Sequence, residues 1–198
     1  MNIEYCEAKS NDAKEIINYL NIVAGQTDNL NYGNNEINLN TIQEMEFIQE
    51  MHENDHSVMI LAKDGDKIVG IATLKGHKQS RLKHRADLGV SVLKEYWHQG
   101  IGSNLVSAVI GYGVEAGIEI IDLEVVTDNE IAIALYHKFG FEIIGTYENY
   151  MKLNDRYLDV YLMNLYFRCI IMFFAITIVG FEPCQDRKVA ALRITAYV

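Results

Sequence analysis

One junction constrains this chain more than any other. A β-prone run, ADLGVSVL (86–93), passes through a short polar turn into Gly100-Ile101-Gly102, which opens a helix. Glycines at that point let backbone N–H groups approach a ligand closely. The first turn of a helix adds unpaired N–H groups and the positive end of its dipole, so the junction is built to hold an anion. Taken alone, Gly-x-Gly also suits a tight turn before a glycine-tolerant helix, and the ligand stays open.

The second half of the chain narrows the choice. After another apolar run, IEIIDLEVV (118–126), Asn129, Ala132, Leu135, Tyr136, Gly140 and Phe141 follow at fixed intervals: Asn-x-x-Ala-x-x-Leu-Tyr-x-x-x-Gly-Phe. Strand, Gly-x-Gly helix, strand and this last motif, in that order, resemble the GNAT superfamily of acetyl-CoA-dependent N-acetyltransferases. The resemblance covers roughly residues 2–166. It implies a mixed α/β (α+β) fold, with a mostly antiparallel twisted sheet splayed between its fourth and fifth strands and flanked by about four helices. By the same resemblance, the backbone of Val90 and Val92 would pair with the pantetheine amides of acetyl-CoA. Backbone groups of Gln99, Gly100, Ile101, Gly102 and Ser103 would cradle the pyrophosphate, Asn129 would bond the pantetheine arm, and Tyr136 would face the thioester sulfur.

Chemistry supports that layout. Aminolysis of a thioester requires a neutral amine, a stabiliser for the oxyanion and a proton for the departing thiolate. A tyrosine, with a pKa near 10 when unperturbed, can donate towards a thiolate whose conjugate acid has a pKa of roughly 8–9, which makes Tyr136 the candidate acid. Packing on the core side of an amphipathic helix is its structural alternative. For the base, Asp87 and Glu124 both fall on strands beside the expected splay. Glu124 is preferred, because its apolar neighbours in IIDLEVV predict burial and a raised pKa. Asp122 shares its face, and a solvent-facing acidic pair is the plainer account of both. The acceptor pocket is expected to draw on the 26–40 loop and the 144–156 hairpin, with Tyr147, Glu148 and Tyr150 as candidates. Trp97 departs from the family pattern, which usually has Arg or Gln three residues before the first glycine. An indole offers one N–H and no charge, so side-chain help to the pyrophosphate is expected to be lost. His98 reads as a solvent-facing turn residue.

Elsewhere the pattern is regular. A strand is expected over 1–8. A helix follows over 10–25, capped by Ser10 or Asn11, with Ile16, Ile17, Leu20 and Val23 inward. A polar loop (26–40) leads to a second helix carrying Ile42, Met45, Phe47, Ile48 and Met51 on or near one face. A hairpin over 57–77 turns at Asp64-Gly65-Asp66. The link 77–85 reads as a solvated turn. Helix 100–117 turns Leu105, Val106, Val109 and Ile110 to the core, with Gly111 and Gly113 permitting close packing. Residues 152–167 read as a last strand pair or one long strand, with a turn at Asn154-Asp155 supporting the hairpin.

Composition sets outer limits. A net charge of −10 and a pI near 5.0 argue against general nucleic-acid binding and fit a cationic amine acceptor, either a small molecule or a peptide. Three widely spaced cysteines suggest neither a disulfide framework nor a zinc site, and no metal is expected from the six scattered histidines. Glu4 and Glu7 close behind Met1 are unlike a signal peptide, so a cytoplasmic setting is expected. The domain is placed at 1–167 and an extension at 168–198. The extension holds an apolar run (169–181) too short to span a bilayer, so no membrane role is assigned. It reads as an added strand centred on 175–179, a short apolar anchor, or sequence foreign to the domain. Homodimerisation through the last strands and this tail is the expected assembly.

Two other functions fit parts of the pattern. A non-catalytic acyl-CoA-binding sensor is suggested by Trp97. A Rossmann-type dinucleotide module is suggested by Gly100-Ile101-Gly102, although Leu105 stands at its third glycine position and no repeated βα units follow.

Overall fold

The structure is a computed structural model that describes residues 2–33 and 36–167; the strand expected within 175–179 lies outside them. Seven strands form one sheet: β1 (Ile3–Glu7), β2 (Val58–Asp64), β3 (Lys67–Gly76), β4 (Arg85–Val92), β5 (Ile120–Val126), β6 (Glu142–Leu153) and β7 (Arg156–Tyr166). Their spatial order is β1-β2-β3-β4-β5-β7-β6, and every neighbouring pair is antiparallel except β4–β5. Among the described residues a repeated parallel βα architecture is therefore absent, which disfavours the dinucleotide module. The Gly111-Tyr112-Gly113 triplet lies inside a helix.

Two helices, α1 (Ala13–Ala24) and α2 (Thr41–Glu53), cover one face of the sheet; α3 (Ile101–Glu115) and α4 (Glu130–Lys138) lie on the other. On the α3 side, Leu105, Val106, Val109 and Ile110 are buried, as their helical spacing predicts, against Leu74, Ala86, Leu88 and Ile121. Gly113 makes the close approach possible: a Cβ there would stand 3.1 Å from Leu74 Cδ2. Truncating a side chain as fully enclosed as Leu105 to alanine costs about 2–5 kcal/mol. Among the described residues no helix is long and apolar enough to cross a membrane.

The helices of the first face differ from expectation in detail. Neither Ser10 nor Asn11 caps α1. A 3-10 turn (Ser10–Asp12) precedes it, and the Asp12 carboxylate accepts from the Lys9 N–H (2.8 Å) and pairs with Lys63 (2.8 Å). Tyr19 joins Ile16 and Val23 in the core, because its hydroxyl finds Ser91 Oγ at 2.9 Å. Helix α2 begins with a reciprocal capping box in which Asn40 Oδ1 accepts from the Gln43 N–H (3.0 Å) and Gln43 Oε1 from the Asn40 N–H (2.9 Å). Its inward stripe is Glu44, Ile48 and Met51, while Ile42 (68% exposed) and Met45 face outward. Burial pushes the Glu44 carboxyl above its usual value of 4.5. A raised acid pKa means the folded state holds the proton more tightly, so this group opposes folding once pH rises above about 4.5. Glu44→Gln is accordingly expected to raise Tm at pH 7, with the gain shrinking towards pH 4 in a thermal-melt series.

Candidate active site

The parallel pair β4–β5 is in register only from Arg85↔Ile120 to Asp87↔Asp122. Beyond that point the strands part, and Leu88–Val92 faces Leu123–Val126 across an open slot that belongs to a cleft of about 1210 Å³. Leu93 donates its N–H back to Val69 of β3 (2.9 Å). Strand alternation therefore turns the N–H and C=O groups of Val90 and Val92 into the slot, away from β3.

At the mouth stands the start of α3. Gly100 holds φ +79, a left-handed value open to glycine at little cost, and no side chain caps the helix. The first intrahelical bond runs from the Asn104 N–H to Gly100 O, so the N–H groups of Ile101, Gly102 and Ser103 lack intrahelical acceptors. Packing does not demand glycine at 102, since a Cβ would meet Leu135 Cδ2 only at 3.6 Å and Val92 Cγ2 at 3.8 Å. Gly100, Ile101, Gly102 and Ser103 line the cleft, but Gln99 does not; its side chain turns back to Glu95 O (3.1 Å). His98 is exposed in a turn, as read from sequence, and also lines the cleft, with φ +60. Trp97 donates its indole N–H to Val92 O at 2.7 Å, pinning the loop to β4. Its single donor is thus engaged within the protein.

Helix α4 brings two more of the expected residues. Asn129 lines the cleft as the N-cap of α4, its Oδ1 accepting from the Ala132 N–H (3.2 Å). Tyr136 reaches the cleft from a buried position, its ring tilted against Phe141 at 5.7 Å. Burial pushes its phenol up to about 12.

The other face of the slot is acidic. Glu124 lines it but is exposed, contrary to the burial expected from its apolar neighbours: along β5 those neighbours point to alternate faces, and α1 and α2 do not extend over this part of the sheet. Tyr150 hydrogen-bonds Glu124, which, with burial, raises the Tyr150 phenol. A register shift in β6 between Tyr147 and Met151 delivers Tyr150 there. Asn149 takes φ +55, and its N–H is held by Asp159 Oδ1 at 2.7 Å. Tyr147 packs edge-on against Tyr150 (5.2 Å) without lining the cleft, and Glu148 does not line it either. Thr27, Asn29, Leu30 and Asn31 supply the expected loop wall.

At the closed end of the slot, Arg85 donates through both Nε (3.0 Å) and Nη2 to the Asp122 carboxylate. Asn164, with its amide turned so that Nδ2 faces Asp122 Oδ1 (2.8 Å), takes a hydrogen bond from the Tyr166 hydroxyl (3.1 Å). Arg85 was missed in the sequence because it falls at the edge of a stretch read as a solvated turn. Asp87 lies 3.7 Å from His77 Nε2. Although 59% of the Asp87 side chain is exposed, partial burial raises its carboxyl, as do Asp122 and Glu124, while His77 and Lys75 oppose the shift. His77, Asp87 and Asp122 come within ligand distance of one another, but Asp122 is already filled by Arg85.

With this geometry, the comparisons are specific. Residues 28–141 match the acetyltransferase (GNAT) family, and the chain belongs to that family. It is similar to an L-amino acid N-acetyltransferase of Escherichia coli, at 35% identity over 106 residues that make up 53% of this chain and 65% of the relative. The chain spans between 51% and 65% of the length of this and two further curated relatives. Among solved structures, a GNAT-family acetyltransferase of Streptococcus pneumoniae superposes with a TM-score of 0.81 at 31% identity, over 83% of this chain and 99% of that one. A phosphinothricin acetyltransferase of Sinorhizobium meliloti, solved with acetyl-CoA, shares the fold with a TM-score of 0.74 at 16% identity, over 84% of this chain and 89% of that one.

Proposed function

We propose that this protein transfers an acetyl group from acetyl-CoA to a primary amine of a small molecule or peptide, by direct attack within a ternary complex. The observation that carries this reading is the parting of β4 and β5 beyond Asp87 and Asp122, with the uncapped start of α3 at the mouth of the resulting slot. Acetyl-CoA enters with its pyrophosphate on the N–H groups of Gly100–Ser103, and its pantetheine amides run beside Val90 and Val92. The Trp97 bond to Val92 O leaves the Val92 N–H and both groups of Val90 for that pairing. Asn129 offers its Nδ2 to the arm, since its Oδ1 caps α4.

The thioester then lies between Tyr136 and the acidic face. Glu124, directly or through water, takes a proton from the acceptor's ammonium, the neutral amine attacks the thioester carbonyl, and as the C–S bond breaks Tyr136 donates to the departing thiolate. Residues 1–167 form the catalytic domain and 168–198 an extension. A homodimer through the exposed strand β6, which presents Ile143 and Tyr147 to solvent, and a cytoplasmic setting complete the reading.

Free-thiol release from acetyl-CoA, measured against a panel of primary amines, tests it. Amine-dependent release above the hydrolytic background is expected. Acetyl-CoA binding without release by any amine would instead identify an acyl-CoA sensor.

A further inference from the structure

The side chains of Asp122, Glu124 and Val126 share the face of β5 that looks away from α3, and their partners on β7 are Asn164, Leu162 and Val160. With Asp87 of β4, they floor the side of the cleft from which an acceptor must approach. The floor runs from carboxylates at the closed end to apolar side chains further out, where Ile144 and Met151 join it.

A free amino acid would bring its carboxylate within two bonds of the reacting nitrogen. Holding it there requires a cation with open donors. Apart from His98 at the phosphate loop, the basic residues lining the cleft are Arg85 and Lys75 among the described residues. The Nε–Nη2 edge of Arg85 is taken by Asp122, whose carboxylate also neutralises the guanidinium charge. Lys75 stands opposite Asp87 in the strand register, and its ammonium is drawn towards α2, over the Phe47 ring at 5.7 Å from the centroid. Asp87 and Glu124 remain to meet an incoming substrate, and both attract ammonium and repel carboxylate. Burial raises the Asp87 carboxyl, and the neighbouring charges of Asp122 and Glu124 add to that shift.

We infer that the acceptor is a primary amine with no carboxylate beside its amino group, as at the amino terminus of a peptide or in an amino-acid amide, and that free amino acids are poor substrates. This rests on the acyl-transfer reading above and refines it. The selectivity is opposite to that in the name of the Escherichia coli relative.

The test compares L-leucine with L-leucinol and L-leucinamide. The alcohol removes the carboxylate without the strong acidification of the amine that an amide brings. The readouts are kcat/KM from thiol release, corrected for the neutral-amine fraction, and calorimetric binding to the protein loaded with coenzyme A. Leucinol and leucinamide are expected to exceed leucine about tenfold or more in both, the modest end of what opposed like charges cost. Asp122→Asn, which removes the carboxylate that neutralises Arg85 while keeping an acceptor for Asn164, is expected to narrow that ratio by improving leucine. Loss of turnover with every amine, with leucinol still binding about tenfold better, would remove acyl transfer and sustain the selectivity. Leucine equal to or better than leucinol overturns the selectivity, as does failure of leucinol to bind.

Discussion

Tyr136→Phe is expected to lower kcat by about 100-fold or more, the range in which a positioned proton donor contributes, while acetyl-CoA binding and Tm stay close to wild type. The ring is buried and tilted on Phe141, and phenylalanine preserves that packing. The hydroxyl makes no hydrogen bond among the described residues, so its loss leaves no buried partner stranded. A phenol at about 12 looks too weak an acid for a thiolate. The burial that raises it acts equally on the departing sulfur, because a low-dielectric pocket disfavours both anions, and the difference between the two acids is largely preserved. On the proposed mechanism, Tyr136 would donate a hydrogen bond to developing charge and complete the transfer as the thiolate forms.

The pH profile separates this role from simple packing. With its pKa raised from 10.0 to about 12, Tyr136 stays protonated throughout the range in which the amine becomes neutral. No alkaline fall in kcat is expected from it below about pH 11. Its effect on stability has a definite sign. Between pH 10 and 12 the unfolded chain releases this proton and the folded chain does not, so stability falls as pH climbs through that window. In Tyr136→Phe that component of the decline should disappear from thermal melts. A Phe variant with undiminished kcat would show that another group donates.

How much of this was readable in the sequence depended on the range of the interaction. The β4–α3 junction, the Asp64-Gly65 turn and the core stripe of α3 are set by residues within one turn or one strand of each other, and all three occur where spacing put them. Helix α2 misled because its apolar residues outnumber its core positions. The helix docks beside β1–β3 through Glu44, Ile48 and Met51, and nothing in its own period says that Ile42 will face water. The Arg85–Asp122 pair depends on the register of two parallel strands separated by the whole of α3. Tyr150 depends on a bulge in β6. The one local hint was Asn149, a residue type that tolerates the left-handed backbone found there. The exposure of Glu124 followed from where α1 and α2 end on the sheet, a property of tertiary packing rather than of IIDLEVV.

Gly102→Ala is expected to separate cofactor affinity from stability, and to do so in opposite directions. A methyl at this position fits the fold: it would make ordinary contacts with Leu135 (3.6 Å) and Val92 (3.8 Å), in a residue that already has helical backbone. Alanine is the better helix former by up to about 1 kcal/mol, so Tm should hold or rise. The methyl nevertheless adds bulk to the cleft-lining start of α3, where the pyrophosphate of acetyl-CoA is proposed to sit. Hydrogen bonds to a charged group contribute about 1.5–3 kcal/mol each, and displacing the anion from one of them should weaken acetyl-CoA about 10- to 100-fold. Gly100→Ala provides the contrast. Nothing lies within 4 Å of a Cβ there, yet φ +79 is costly for an L residue, so it should lose about 1–2 kcal/mol of stability by strain. Calorimetry with coenzyme A and with its dephosphorylated pantetheine fragment locates the loss. For Gly102→Ala the weakening should appear with coenzyme A and be small with the fragment, which lacks the pyrophosphate. Equal weakening of both ligands would place the anion somewhere other than the start of α3.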